Sequence, residues 1–178
     1  MYGVMPYYMG KTISELPAQV FFPILFGVCI YWAVGLNTHD SEKPLVFLLI
    51  TILVSLCGVS LGLLAGCIFS DVQVAVSAAP MCVIPFMLFG GFLTNTDSIP
   101  VGFIWLEYMS PFKYAFVAYC QNEYHNLEVD CEPECTPLDD LNFTEDMWPN
   151  ILYLTILIIG YRVLAAIFLK LLVRKLGS

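Results

Sequence analysis

Long stretches without a charged residue constrain this chain more than any other feature of its sequence. Residues 16–39, 44–70 and 72–96 contain no Asp, Glu, Lys or Arg and are 24, 27 and 25 residues long. Each is longer than the roughly 20 residues that a helix needs to cross a bilayer. A fourth apolar run, 149–171, has Arg162 within it, whose long side chain can reach toward an interface. The sequence therefore predicts four transmembrane helices, over about 16–37, 44–70, 72–96 and 149–171.

The composition of the 178 residues excludes several classes of protein. Hydrophobic residues make up 59% and charged residues 12%, and the mean hydropathy is +0.79. A soluble domain of this size cannot bury so much apolar surface, which excludes a free cytosolic enzyme and a disordered tail. With 7 basic against 15 acidic residues the net charge is −8, so no basic surface for nucleic acid is expected. The predicted fold class is an all-α, multi-pass integral membrane protein.

A fifth apolar region, 99–120, has a different pattern from the spans. Pro100, Glu107, Pro111 and Lys113 divide it into pieces too short to cross a bilayer. Polar interruptions at membrane depth are tolerated where the chain packs against protein. We therefore expect a helical hairpin that dips into the membrane, followed by a hydrophilic loop over 121–148.

The distribution of basic residues predicts the orientation. The C-terminal cluster at 170–175 indicates a cytoplasmic end for the last helix, and Lys11 precedes the first span. Loop 121–148 contains nine acidic residues and no Lys or Arg, as expected of an exterior loop. Only Lys43 and Lys113 depart from this pattern. We therefore predict that the C-terminus lies in the cytoplasm. The protein is expected in the plasma membrane or an endomembrane.

The exterior loop carries candidate modification sites. Asn142-Phe143-Thr144 is a glycosylation sequon. Cys131 and Cys135 lie in the same loop, and in an oxidising exterior a disulfide is the simplest outcome for them. A zinc site is disfavoured because four zinc ligands usually come as two compact pairs and this loop supplies one. No metal site is therefore predicted.

Two short motifs suggest catalysis, but their surroundings favour other interpretations. Gly10-Lys11-Thr12 ends like a phosphate-binding loop, yet no glycine precedes it at the required spacing and no strand leads into it. Residues 58–62 match the G-x-S-x-G pattern of a serine hydrolase, but they lie in the middle of an apolar span. Gly58, Gly62 and Gly66 together form a stripe of small residues typical of close helix packing. No catalytic residue is predicted.

Read in order, several segments resemble the C-terminal part of the transmembrane domain of the White (G) subfamily of ATP-binding-cassette half-transporters. The resemblance covers nearly the whole chain. The matching segments are Tyr7–Pro17, Ile84–Leu93, Ile99–Pro100, Trp105–Tyr114, Asn122–Tyr124 and Gly160–Arg162.

This resemblance implies a nucleotide-binding domain followed by six spans, working as a homodimer or heterodimer. The four predicted spans would be the third to sixth, with 99–120 as the family's membrane-dipping hairpin. The nucleotide-binding domain and the first two spans are not in this sequence, and ATP and Mg²⁺ would bind on that domain. Met1 is equally compatible with a gene fragment, a truncation and an alternative product.

The function that the resemblance implies is ATP-driven export of lipids, sterols or other hydrophobic molecules. Carried over from the family, Ile84 and Met87 would face the substrate, and Phe92 with Leu93 would form a hydrophobic valve above it. Ordinary helix packing is the competing interpretation of these four residues. A four-span membrane scaffold without transport is the alternative for the whole chain.

Overall fold

The computed structural model describes residues 4–36, 42–69, 71–88, 90, 104–124 and 147–176. Within these ranges the protein is all-helical. Its six helices are α1 (Val4–Val34), α2 (Glu42–Ile68), α3 (Val72–Leu88), α4 (Ile104–Tyr108), α5 (Pro111–Tyr124) and α6 (Met147–Leu176). The all-α class expected from the sequence is confirmed.

Three of these helices are long and apolar enough to cross a membrane. They run over Pro6–Val34, Glu42–Ile68 and Met147–Val173, corresponding to the first, second and fourth predicted spans. The third predicted span contains α3, which has 17 residues. Position 89 and residues 91–96 of that span lie outside the described residues.

Helix α1 begins twelve residues before the predicted first span, because polar residues end a membrane span without ending a helix. Lys11 and Glu15 pair one turn apart at 3.8 Å, and the Ser14 hydroxyl donates to the Lys11 carbonyl at 3.0 Å. At the other end Gly35 adopts a φ of 71°. The Leu36 amide then donates to the Tyr31 carbonyl, a Schellman-type helix end that favours glycine.

Helix α2 lies at the centre of the described structure and contacts α1, α3, α5 and α6. One buried cluster joins α2, α5 and α6, and a second lies beside it. The first contains Cys57, Tyr114, Leu154, Ile158 and Tyr161, and the second contains Ile50, Ala118 and Ile151. Because lipid is as apolar as these side chains, close packing rather than transfer from water stabilises such clusters.

An aromatic contact series connects α1, α2 and α5. The Phe47 ring lies 5.3 Å from the Tyr31 ring and 5.0 Å from the Tyr119 ring. The hydroxyls of Tyr119 and Thr51 are 2.9 Å apart, so the polar tip of Tyr119 is also satisfied. These contacts hold α5 against the bundle.

Two short helices, α4 and α5, occupy the region predicted as a hairpin. Helix α5 continues to Tyr124, so the first four residues of the predicted exterior loop are helical. The buried Asn122 side chain accounts for this extension, because its Nδ2 donates to the Lys43 carbonyl at 3.1 Å. Helix α6 begins at Met147, so the last two residues of the predicted loop are also helical.

Candidate functional site

The end of α3 lies against the turn between α4 and α5, near the predicted substrate pathway. Ser110 in that turn is fully buried, and its Oγ donates to the Phe86 carbonyl of α3 at 2.6 Å. A Cβ on Gly90 would lie 2.9 Å from the Phe112 Cβ and 3.2 Å from the Ser110 Oγ. Only glycine fits this approach without a shift, so the chain leaving α3 is held against the α4–α5 turn.

The same turn is fixed by an ion pair and by tyrosines. Lys113 Nζ lies 2.7 Å from Glu107 Oε1, and the Glu107 side chain is 6% exposed. The ammonium also lies 5.0 Å from the centre of the Tyr108 ring. A buried carboxylate needs such a partner, since an unpaired charge at this position would be strongly unfavourable.

Helix α6 contacts this turn through Tyr161. Its hydroxyl donates to the Met109 carbonyl at 2.5 Å, and the Tyr114 hydroxyl donates to the Tyr108 carbonyl at 3.1 Å. Two carbonyls next to the break between α4 and α5 thereby gain side-chain donors. Such replacement is what allows a helix interruption at membrane depth.

The two basic residues that depart from the predicted charge pattern each have a local partner. Lys113 pairs with Glu107, as described above. Lys43, which is buried, donates from Nζ to the Glu123 carbonyl at 3.4 Å. Their positions are therefore explained by contacts within the protein rather than by the headgroup region.

Of the four predicted pathway residues, the structure describes Ile84 and Met87. Both lie on α3 with exposed side chains, 53% and 42% accessible. The structure therefore leaves them available to a molecule or chain outside the described residues. Phe92 and Leu93 lie outside the described residues.

The glycine stripe on α2 is not packed closely against another described helix. A Cβ on Gly58, Gly62 or Gly66 would meet no heavy atom of the described structure within 4 Å. Gly62 and Gly66 line a cleft of about 350 Å³ whose opposite wall is formed by α3. The predicted helix packing through this stripe has no counterpart among the described helices and remains a prediction.

Ser60 does not have the surroundings of a nucleophile. It is fully buried, its Oγ donates to the Leu56 carbonyl at 2.7 Å, and it accepts from the Arg162 Nε at 3.2 Å. Both interactions engage the hydroxyl within the helix bundle.

Arg162 is the polar centre of the three long helices, and its partners were not predicted from the sequence. Besides Ser60 of α2, its Nη2 donates to Gln19 Oε1 of α1 at 3.3 Å. The Tyr8 hydroxyl donates to the Arg162 carbonyl at 3.1 Å. The sequence does show the Gln19 amide and the Ser60 hydroxyl in otherwise apolar spans. Their spacing does not indicate that they contact Arg162.

The phosphate-loop interpretation of Gly10-Lys11-Thr12 does not agree with the structure, because these residues lie inside α1. A phosphate loop requires a turn between a strand and a helix. Cys131, Cys135 and Asn142 lie outside the described residues. Of the described cysteines, Cys57 and Cys120 are buried free thiols.

Comparison with known proteins gives the family. Residues 1–124 match the profile of the ABC-2 type transporter. This chain belongs to the ABC-2 type transporter family. Its expected likeness to White (G) proteins is confirmed by 35% identity over 187 aligned residues to Protein white of Drosophila melanogaster, covering 98% of the chain.

Two further relatives also match most of this chain but only part of their own length. Protein white of Ceratitis capitata is 35% identical over 98% of the chain and 27% of its own length. The ABC transporter ATP-binding protein/permease wht-1 of Caenorhabditis elegans is 34% identical over 84% of the chain and 22% of its own length. The chain thus spans about a quarter of the length of these relatives.

Proposed function

We propose that this chain is the membrane-spanning part of an ATP-driven exporter of lipids, sterols or other hydrophobic molecules. The proposal rests on family membership together with one structural observation. Helix α3 is held at its end by Ser110, while Ile84 and Met87 on the same helix are exposed. A fixed helix with an exposed apolar face suits the wall of a pathway completed by a second subunit.

The proposal includes a complete membrane arrangement. Four spans and the hairpin at 99–120 would form one half of a dimer, with the 121–148 loop outside and the C-terminus in the cytoplasm. ATP and Mg²⁺ would bind a nucleotide-binding domain, and no ATP hydrolysis is assigned to this chain. The wht-1 relative is named an ATP-binding protein/permease, which supports this division of roles.

A chimera tests the proposal. Replacing the matching segment of full-length Drosophila Protein white with this chain should give a protein that hydrolyses ATP and moves a fluorescent hydrophobic probe across vesicle membranes. Ile84→Asn with Met87→Asn should reduce probe transport several-fold. Ile156→Asn with Ile159→Asn, two exposed positions of α6 at the same spacing, is the matched control and should have a smaller effect.

A membrane scaffold is the second candidate, and the exposed glycine stripe on α2 favours it. Close helix contacts through Gly58, Gly62 and Gly66 would serve assembly without any transport. A correctly folded chimera that associates but neither transports the probe nor responds to it in ATP hydrolysis would support the scaffold. Coupled hydrolysis and transport would exclude it.

A further inference from the structure

Arg162 carries a full positive charge into the apolar part of α6. Its two side-chain partners, Ser60 and Gln19, come from different helices and both offer neutral oxygen atoms. Within the ranges that the structure describes, the guanidinium forms no ion pair with a carboxylate. Hydrogen bonds to neutral acceptors orient the charge but do not compensate it.

The nearest acidic residue in this network is engaged elsewhere. Glu15 pairs with Lys11 at 3.8 Å, and its Oε2 accepts from Gln19 Nε2 at 3.4 Å. Gln19 thus stands between the carboxylate and the guanidinium, with its amide nitrogen toward Glu15 and its oxygen toward Arg162. The group formed by Lys11, Glu15 and Arg162 retains one net positive charge.

The guanidinium has capacity for a further ligand. Arginine has five N–H donors in a planar fork, and two of the Arg162 donors are used by Ser60 and Gln19. The side chain is only partly buried. An anion can therefore reach the remaining donors, and a phosphate matches the fork particularly well.

The position of this charge favours a lipid headgroup. The Tyr8 hydroxyl, near the start of α1, donates to the Arg162 carbonyl. Arg162 therefore lies toward the end of the bundle that contains Lys11. Lys170 follows Arg162 by eight residues, about 12 Å along the helix. Basic pockets between transmembrane helices near such an end bind anionic headgroups.

We propose that Arg162, positioned by Ser60 and Gln19, binds the phosphate of an anionic phospholipid between α1 and α6. Lys11 keeps Glu15 engaged at the same end of the bundle, so the charge of Arg162 stays uncompensated. The neutral amide of Gln19 is essential to this site, because a carboxylate in its place would compensate the arginine from within the protein.

The test measures lipid retention by the full chain in detergent, using native mass spectrometry. Phosphatidylglycerol and phosphatidylcholine with identical acyl chains are compared. The unmodified chain should retain phosphatidylglycerol about fivefold better, the factor expected from one cation near the membrane surface. Gln19→Glu should remove this preference while the chain remains folded, since it places a carboxylate beside Arg162.

Two further variants make the result specific. Gln73→Glu introduces the same charge at an exposed position of α3 and should retain the lipid preference. Arg162→Gln should lose it, and circular dichroism shows whether that variant still folds. The proposal is overturned if folded Gln19→Glu keeps the preference, or if inorganic phosphate displaces phosphatidylglycerol as well as a short-chain phosphatidylglycerol does.

Discussion

The Ser110 hydroxyl donates a 2.6 Å hydrogen bond to the Phe86 carbonyl and thereby joins the α4–α5 turn to the last turn of α3. Phe86 lies where a helix has no backbone donor left for its carbonyls. The Gly90 amide, four residues later, donates instead to the Met87 carbonyl at 3.4 Å. Among the described residues, Ser110 therefore supplies the Phe86 carbonyl with a donor from outside α3.

Replacing Ser110 by alanine should destabilise the chain by about 1–3 kcal/mol, because the Phe86 carbonyl loses this donor in a partly buried place. Thermal unfolding in detergent measures the effect. Ser77→Ala is the matched control, since the Ser77 hydroxyl donates to Gln73 within an exposed turn of α3. Equal melting temperatures for the two variants would show that the Ser110 contact does not contribute.

The Glu107–Lys113 ion pair should show strong coupling. Lys113→Met should cost about 3–5 kcal/mol because it leaves the buried Glu107 carboxylate without its partner. Glu107→Gln should cost less, because the Lys113 side chain is 20% exposed. The double variant should be more stable than the sum of the single effects predicts. A double-mutant cycle in denaturant titrations measures this, and Lys11→Met, which breaks an exposed pair, should cost at most about 1 kcal/mol.

The helices were predictable from the sequence because apolar runs of bilayer length leave few alternatives to a helix. The contacts that orient them were not. Ser110 and Phe86 are 24 residues apart, and Arg162 and Gln19 are 143 apart. Each of these polar groups could have met several others, and only the packing of the helices selects the pair.

The same limit applies to the candidate pathway. The resemblance to the family indicated Ile84 and Met87 as residues that would face the substrate. The structure adds that both side chains are exposed. It also gives a reason for glycine at position 90, the close approach of Phe112, which no spacing rule contains. Sequence pattern identified the segment, while three-dimensional contacts explain its residues.

The glycine stripe should mediate association between chains. Gly58→Ile should weaken association about tenfold, or ~1.4 kcal/mol, by preventing close helix approach. Folding should be unaffected, because nothing in the described structure lies within 4 Å of the added Cβ. Energy transfer between labelled chains in vesicles measures association. Gly160→Ile, equally open on α6, should behave like the unmodified chain, and the stripe has no such role if the two variants associate equally.

Cys131 and Cys135 should be oxidised when the chain is expressed at a cell surface. Three intervening residues allow a local bridge, and the resemblance to White (G) proteins equally allows a bridge between subunits. Non-reducing gels of Cys131→Ser and Cys135→Ser distinguish the two, because only a bridge between subunits gives a covalent dimer. Labelling of both cysteines as free thiols would contradict the prediction.

Phe92 and Leu93 should form a hydrophobic constriction on the pathway. These residues follow Gly90 by two and three positions, and Gly90 is held against Phe112. Asn95 and Asp97 come shortly after them and indicate the water boundary. Two large apolar side chains beside that boundary, opposed by the same pair from a second subunit, can exclude water from a pathway.

In the Protein white chimera, Phe92→Ala with Leu93→Ala should change probe transport several-fold and loosen its coupling to ATP hydrolysis, with surface expression largely intact. Vesicle transport and ATPase rates on the same preparation measure both. Phe21→Ala with Phe22→Ala, two exposed aromatic positions on α1, is the matched control and should leave coupling unchanged. If the Phe92 and Leu93 variant also kept normal coupling, these residues would serve helix packing, because a constriction cannot lose both apolar side chains without admitting water.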